Sequence, residues 1–142
     1  MSTLPDLKDH ICFSIYAMQQ AIGRAYQPLL DDLGLTYPQY ITMVALWGED
    51  GVTVGEIGAQ VGLETNTLTP LLKRLEASGM LTRKKDRRDE RRVRVHLTDQ
   101  GKALEPKATD MQTRFRTATG LAGAEAKALK TWLDELRAGL AA

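Results

Sequence analysis

Between Gly62 and Leu97 the spacing of apolar residues switches from a helical period to a strand period within one short stretch. Leu68, Leu71, Leu72 and Leu75 recur every three or four residues, as on one face of an amphipathic helix. Thr65 is a suitable N-cap for that helix and Gly79 a suitable C-cap. Pro70, near the fifth helical position, removes one backbone bond and is expected to loosen its turn. Beyond Gly79, Met80–Lys85 and Val93–Leu97 read as two short strands, and Arg92-Val93-Arg94-Val95-His96-Leu97 alternates polar and apolar as a half-exposed strand does. The expected class is mainly α with one small β-hairpin.

The flanking sequence is helical in pattern. From Asp6 to Leu30, apolar residues at Leu7, Ile11, Cys12, Ile15, Met18, Ile22, Tyr26 and Leu29 form a stripe expected to end or kink near Pro28. Thr36 can cap a helix with Pro38 in its first turn, running through Tyr40, Met43, Val44 and Trp47 to about Gly48–Gly51. Another spans about Val54 to Val61, closed by Gly62. Thr98 is expected to cap a long helix through Leu104, Met111 and Phe115 despite Pro106, broken at Gly120–Gly123. A last helix carries Leu129, Trp132, Leu133, Leu136 and Leu140. At 142 residues the length suits one domain over 1–142, with terminal helices at about 6–30 and 99–141 around a central module at about 36–98. The opening MSTLPDLKDH has no basic segment followed by an apolar one, and no apolar run approaches a membrane span, so a cytoplasmic protein with no membrane association is expected.

Charge is distributed unevenly. Residues 73–94 hold ten Lys/Arg against four Asp/Glu, a surplus of six. The whole chain is only +1, so the other 120 residues carry −5. A charge run is most often a solvated face, but a local surplus on an otherwise acidic chain is what binding a polyanion requires. Two helices joined by a Gly-containing turn and followed by a basic hairpin have the layout of a winged helix-turn-helix, which sends its second helix into the major groove of double-stranded DNA. The exposed candidates on that helix are Thr65, Asn66, Thr67 and Thr69 for base edges and phosphates, with Lys73 and Arg74 for backbone phosphates. The loop Asp86–Arg92 is the candidate wing, with Arg88, Arg91 and Arg92 able to enter the minor groove. Asp89 is misplaced beside phosphate unless it orients an arginine, and Arg91 is its expected partner.

Leu71-Leu72-Lys73-Arg74-Leu75-Glu76, then Gly79, Arg83, Asp86, Asp89-Glu90-Arg91-Arg92, Leu97-Thr98 and Gly101 resemble the MarR family of dimeric bacterial regulators over nearly the whole chain. The resemblance implies a homodimer whose interlocked terminal helices bury the apolar stripes at both ends, and a pseudo-palindromic operator. Within that family, Ile11-Cys12-Phe13-Ser14-Ile15-Tyr16, Leu33-Gly34-Leu35-Thr36-Tyr37-Pro38-Gln39-Tyr40 and Thr67–Glu76 are similar to the organic-hydroperoxide-sensing, OhrR-like branch. That likeness implies a repressor that releases DNA when organic hydroperoxides oxidise a cysteine held by tyrosine hydroxyls.

Cys12 is the only cysteine, so it has no internal disulfide partner. A free cysteine is commonly a small buried hydrophobe. Here all four tyrosines, half of the eight aromatics, lie between residues 16 and 40, and phenol hydroxyls beside sulfur stabilise a thiolate. Tyr16 shares a helix face with Cys12. Tyr26, fourteen residues on, lies roughly 21 Å away along a straight helix and cannot reach the cysteine of its own chain. It can reach that of a second subunit if the N-terminal helices pack antiparallel. The expected site is composite: Cys12 of one chain, Tyr26 and Tyr37 of the other, Tyr16 and Tyr40 nearby, with apolar walls from Phe13, Ile15 and Met18 favouring alkyl peroxides. Some relatives resolve the oxidised sulfur with a second cysteine. This chain lacks one, which leaves capture by a low-molecular-weight thiol, cyclisation onto a backbone nitrogen, or over-oxidation.

Two other readings remain open at this level. A MarR-type regulator can instead respond to a small aromatic ligand, with Cys12 structural. A thiol peroxidase would need a general base that neither His10 nor His96 is placed to be, so no enzyme is expected. His10, Cys12 and His96 lack metal-ligand spacing, and neither metal nor cofactor is expected.

Overall fold

Threonine hydroxyls that satisfy the first amides of a helix set the helix starts after Thr36, Thr53 and Thr98. The computed structural model describes residues 3–141, so the outermost residues of the 1–142 span lie outside the description. A 3-10 turn at Leu7–Asp9 precedes α1 (Ile11–Leu33), α2 (Tyr37–Gly48), α3 (Val54–Val61) and α4 (Thr65–Ala77). The hairpin β1 (Leu81–Lys85) and β2 (Val93–Leu97) follows, then α5 (Asp99–Ala103), α6 (Glu105–Thr119) and α7 (Gly123–Ala141). Thr36 with Gln39, and Thr53 with Glu56, form reciprocal capping boxes at the starts of α2 and α3. Gly62, at φ +75°, supplies the left-handed residue that turns α3 into α4.

The chain divides into two compact units, Met1–Lys107 and Ala108–Ala142. In the first, Met43 and Leu46 of α2, Ile57 of α3, Leu68, Leu72 and Leu75 of α4, Leu81 of β1 and Val95 of β2 are almost wholly removed from solvent. Each such side chain contributes roughly 1.5–3 kcal/mol of burial. The strands pair antiparallel in the register Leu81↔Leu97, Arg83↔Val95, Lys85↔Val93. The other edge of β2 is also engaged: Val95 N–H donates to Val52 O at 2.9 Å, and Gly51 N–H donates to Val95 O at 3.0 Å. The hairpin is thereby tied to the α2–α3 connection. In the second unit, α7 buries none of its residues, and Leu129, Trp132, Leu133, Leu136 and Leu140 are exposed along it.

Four local expectations are corrected. The first helix starts at Ile11 rather than Asp6, because the preceding residues form a tight turn braced by Asp9 N–H on Asp6 O (2.8 Å) and by a His10 Nε2–Pro5 O contact (2.9 Å). It also passes Pro28 and ends at Leu33, where Gly34 takes φ +71°. Leu30 and Leu33 are both buried, and that burial offsets the one backbone bond the proline removes. The caps of α4 are Glu64 and Ser78, so Thr65 is its first helical residue and Gly79, at φ +83°, lies one residue past the C-cap. The helix expected from Thr98 to Phe115 breaks at Leu104, two residues before Pro106, whose ring would crowd the Lys102 carbonyl of a continuous helix. Thr98 does cap α5, accepting from Gly101 N–H at 3.1 Å.

Candidate nucleic-acid interface and thiol site

The α4 helix buries one face and presents the other. Leu68, Leu71, Leu72 and Leu75 are buried, whereas Thr65, Asn66, Thr67, Lys73 and Arg74 are exposed. Thr69 is half-buried and its hydroxyl donates to Thr65 O at 2.8 Å. Three hydroxyl- or amide-bearing side chains and two cations therefore line one accessible helix face, the chemistry that base edges and phosphates require.

The wing is ordered by acid–base contacts. Asp89 accepts from Arg91 three times: from its backbone N–H and Nε at 3.1 Å, and from Nη2 at 3.3 Å. The Arg91 side chain is otherwise 91% exposed, so Asp89 aims a cation without hiding it. Arg87 and Arg88 are exposed at the same tip. Arg92 reaches back instead, to Glu56 of α3 at 3.6 Å.

Sequence reasoning assigned no role to Glu76, Arg83, Asp86 or Arg94, which carry the rest of the wing's architecture. Buried Asp86 accepts from the Arg88 backbone N–H at 3.2 Å and pairs with Arg94 at 3.5 Å. Arg94 also donates to Gly51 O at 2.8 Å, joining the loop to the α2–α3 turn. Three of the four were visible as motif positions, but their partners lie on other elements, and periodicity carries no signal for such pairing.

These contacts hold three carboxyls below their ordinary range. Glu76 is lowered chiefly by the Arg83 side chain, Asp86 by the Arg88 N–H, and Asp89 by the Arg91 side chain. A carboxyl whose pKa is depressed in the folded state contributes order that is complete above its unfolded pKa and is lost as pH falls through the folded one. The amide signals of Arg88 and Arg91, which report on Asp86 and Asp89, are expected to move with midpoints below the ordinary carboxylate values. Midpoints at or above the ordinary carboxylate values, read by NMR titration, would contradict this.

The tyrosines separate into two groups. Tyr26 of α1 stacks on Tyr37 of α2 with ring centroids 6.0 Å apart. Tyr40 meets both edge-on, at 6.4 and 5.9 Å. Tyr26 and Tyr40 are buried and Tyr37 is half exposed. Burial, with Tyr40 beside it, pushes the Tyr37 phenol above its ordinary pKa, so it stays a hydroxyl donor at neutral pH. Cys12 and Tyr16 lie near the other end of the same unbroken helix, both exposed. Fourteen residues of helix place Cys12 about 21 Å from Tyr26 along the axis. Around Cys12, Ile11, Phe13, Ile15 and Met18 are also exposed. Among the described residues no His/Cys/Asp/Glu group could hold a metal ion, and no helix is long and apolar enough to cross a membrane.

Residues 24–106 match the family of the transcriptional regulator SarA/Rot. The chain is 46% identical over 131 residues to the HTH-type transcriptional regulator TtmR of Methylorubrum extorquens, covering 92% of this chain and 67% of that protein. It is 40% identical over 130 residues to the organic hydroperoxide resistance transcriptional regulator of Bacillus subtilis, covering 92% and 88%. Its fold superimposes on reduced AbfR of Staphylococcus epidermidis bound to DNA with a TM-score of 0.79 at 32% identity, covering 96% of this chain and 95% of that one.

Proposed function

The chain belongs to the SarA/Rot and MarR-type family of winged-helix transcriptional regulators, proteins that bind DNA and are not enzymes, and from that premise we propose that it is a repressor released from its operator when organic hydroperoxide oxidises Cys12. The observation that carries the redox reading is the clustering of Tyr26, Tyr37 and Tyr40 at one end of α1 while exposed Cys12 sits among exposed apolar residues at the other. Two antiparallel copies of α1 would bring Cys12 of the partner subunit to this tyrosine cluster and cover the apolar residues of both chains. The apolar face of α7 would be covered in the same homodimer. Relatedness to the Bacillus regulator supports the oxidant class.

The chemistry is a two-electron step. The Cys12 thiolate attacks one peroxide oxygen, the O–O bond breaks, and the leaving alkoxide takes a proton to become an alcohol. The sulfur is left as sulfenic acid. A low-molecular-weight thiol then condenses with it to a mixed disulfide and water. Tyr26 and Tyr37 hydroxyls would hold the thiolate and lose those bonds once the sulfur carries oxygen. The α1 helices would then repack and change the separation of the two α4 helices.

Purified protein is expected to bind its own upstream DNA as a dimer at a pseudo-palindrome with half-site centres about 10 base pairs apart, and to leave on addition of organic hydroperoxide. Peroxide-insensitive binding would refute the redox reading while leaving the regulator intact.

In this reading Thr65, Asn66, Thr67, Thr69, Lys73 and Arg74 contact the major groove and backbone, and Arg88, Arg91 and Arg92 the wing side. Arg91→Ala is expected to weaken operator binding by about 1–3 kcal/mol. Asp89→Ala is expected to lose less, because the cation remains but is no longer aimed. Near-parental affinity of Arg91→Ala in a binding titration would remove the wing from the interface.

A further inference from the structure

The two elements that read DNA in this fold, α4 and the wing, belong to different secondary structures, and the angle between them must be set by something. Glu76 lies in the last turn of α4 and Arg83 is the third residue of β1. Across the intervening turn, where Gly79 takes φ +83°, the two residues are joined by three hydrogen bonds, one from the Arg83 backbone and two from its side chain. Arg83 backbone N–H donates to Glu76 Oε2 at 2.9 Å, and Arg83 Nε and Nη2 donate to Oε1 at 3.1 and 2.9 Å. The arginine side chain is 24% exposed and the glutamate 35%, unlike the exposed Lys73 and Arg88 on either side of them in sequence. Arg83 pairs in turn with Val95, whose other edge is bonded to Val52. A half-exposed ion pair adds little to folding. One that also grips a strand backbone fixes an orientation.

We propose that Glu76 is a positioning residue for DNA recognition: through its three bonds to Arg83 it locks β1 to the end of α4, so that recognition helix and wing meet the duplex as one rigid body. This rests on the reading above that both elements contact DNA. The competing role is a phosphate contact made by Arg83 itself, with Glu76 incidental.

The test uses Glu76→Ala, Glu76→Gln, Arg83→Ala and the double alanine variant, titrated against upstream DNA and a scrambled duplex. Each single alanine change is expected to weaken binding to upstream DNA roughly tenfold and to the scrambled duplex by less than about twofold. The double variant should lose no more than either single one. Glu76→Gln, which keeps an acceptor for the Arg83 N–H, should recover part of the loss. Parental affinity in Glu76→Ala, additive losses, equal losses on both duplexes, or a glutamine variant no better than alanine would each overturn the proposal. In DNA-free protein, Glu76→Ala should also raise the rate of tryptic cleavage within residues 87–92 roughly fivefold. This arm judges the brace even if the parent fails to bind DNA, a failure that would count against the functional reading, and an unchanged rate overturns the brace.

Discussion

Cys12→Ser protein is expected to bind its operator like the parent and to remain bound when organic hydroperoxide is added, whereas the parent leaves. The serine hydroxyl is nearly isosteric with the thiol, and the DNA-contacting elements begin more than fifty residues later at Thr65, so untreated binding has no reason to change. A hydroxyl is not ionised near neutral pH and does not attack a peroxide, so the signal is never received. Tyr37→Phe or Tyr26→Phe should leave DNA binding intact and slow the response roughly tenfold, the scale expected for losing one hydrogen bond to a charged sulfur. Fluorescence anisotropy of labelled operator DNA reads both effects. Release of Cys12→Ser protein by hydroperoxide would transfer the signal to another group and favour a ligand-responsive regulator.

The parts of this arrangement legible in the sequence are those set by near neighbours. Gly62 caps α3 because a left-handed residue is needed there, Gly79 takes the left-handed turn one residue past the Ser78 cap of α4, and Thr36 and Thr98 cap because their hydroxyls reach amides three residues on. The second strand of the hairpin followed from alternation over Arg92–Leu97, and the Asp89–Arg91 pairing from a carboxylate misplaced beside phosphate unless it orients an arginine. The helix ends near prolines were less legible, since the outcome depends on what the following residues bury. Pro28 is passed because Leu30 and Leu33 are in the core. Pro106 is not passed, and the chain breaks at Leu104. Least legible were Glu76–Arg83, Asp86–Arg94 and Arg92–Glu56, each joining residues on different elements.

Those cross-element pairs give the basic segment its particular character. Its surplus of six positive charges is divided between two tasks. Arg83 and Arg94 are spent inside the protein, on Glu76, Asp86 and the Gly51 carbonyl. Lys73, Arg74, Lys84, Lys85, Arg87, Arg88 and Arg91 remain exposed, and Arg92 is exposed beside Glu56. Charge counting along the sequence therefore overstates the cations offered to DNA and hides the ones that shape the surface offering them. The salt dependence of binding should follow the exposed set.

Gly101→Ala is expected to destabilise the protein by about 3 kcal/mol or more, a fall in melting temperature on the order of 10 °C. In an ordinary helix the same change stabilises by up to about 1 kcal/mol, so the sign itself is diagnostic. Gly101 is buried in α5, where an added Cβ would overlap the Met80 carbonyl oxygen and approach Leu97 Cδ2 to 3.3 Å. Met80 O cannot swing aside freely, because it accepts from Thr98 N–H at 3.1 Å and the next residue, Leu81, is wholly buried at the start of β1. Gly101 O also accepts from Trp47 Nε1 at 2.9 Å, so pushing α5 outward would break the bond that ties it to the end of α2. Gly55→Ala is the matched control: it is exposed in α3, its new Cβ would meet nothing closer than Thr53 Oγ1 at 4.0 Å, and it should raise stability slightly. Thermal denaturation of the two variants side by side decides the matter, and a Gly101→Ala protein melting with the parent would show that the close approach of α5 to the β1 entrance is not what requires glycine there.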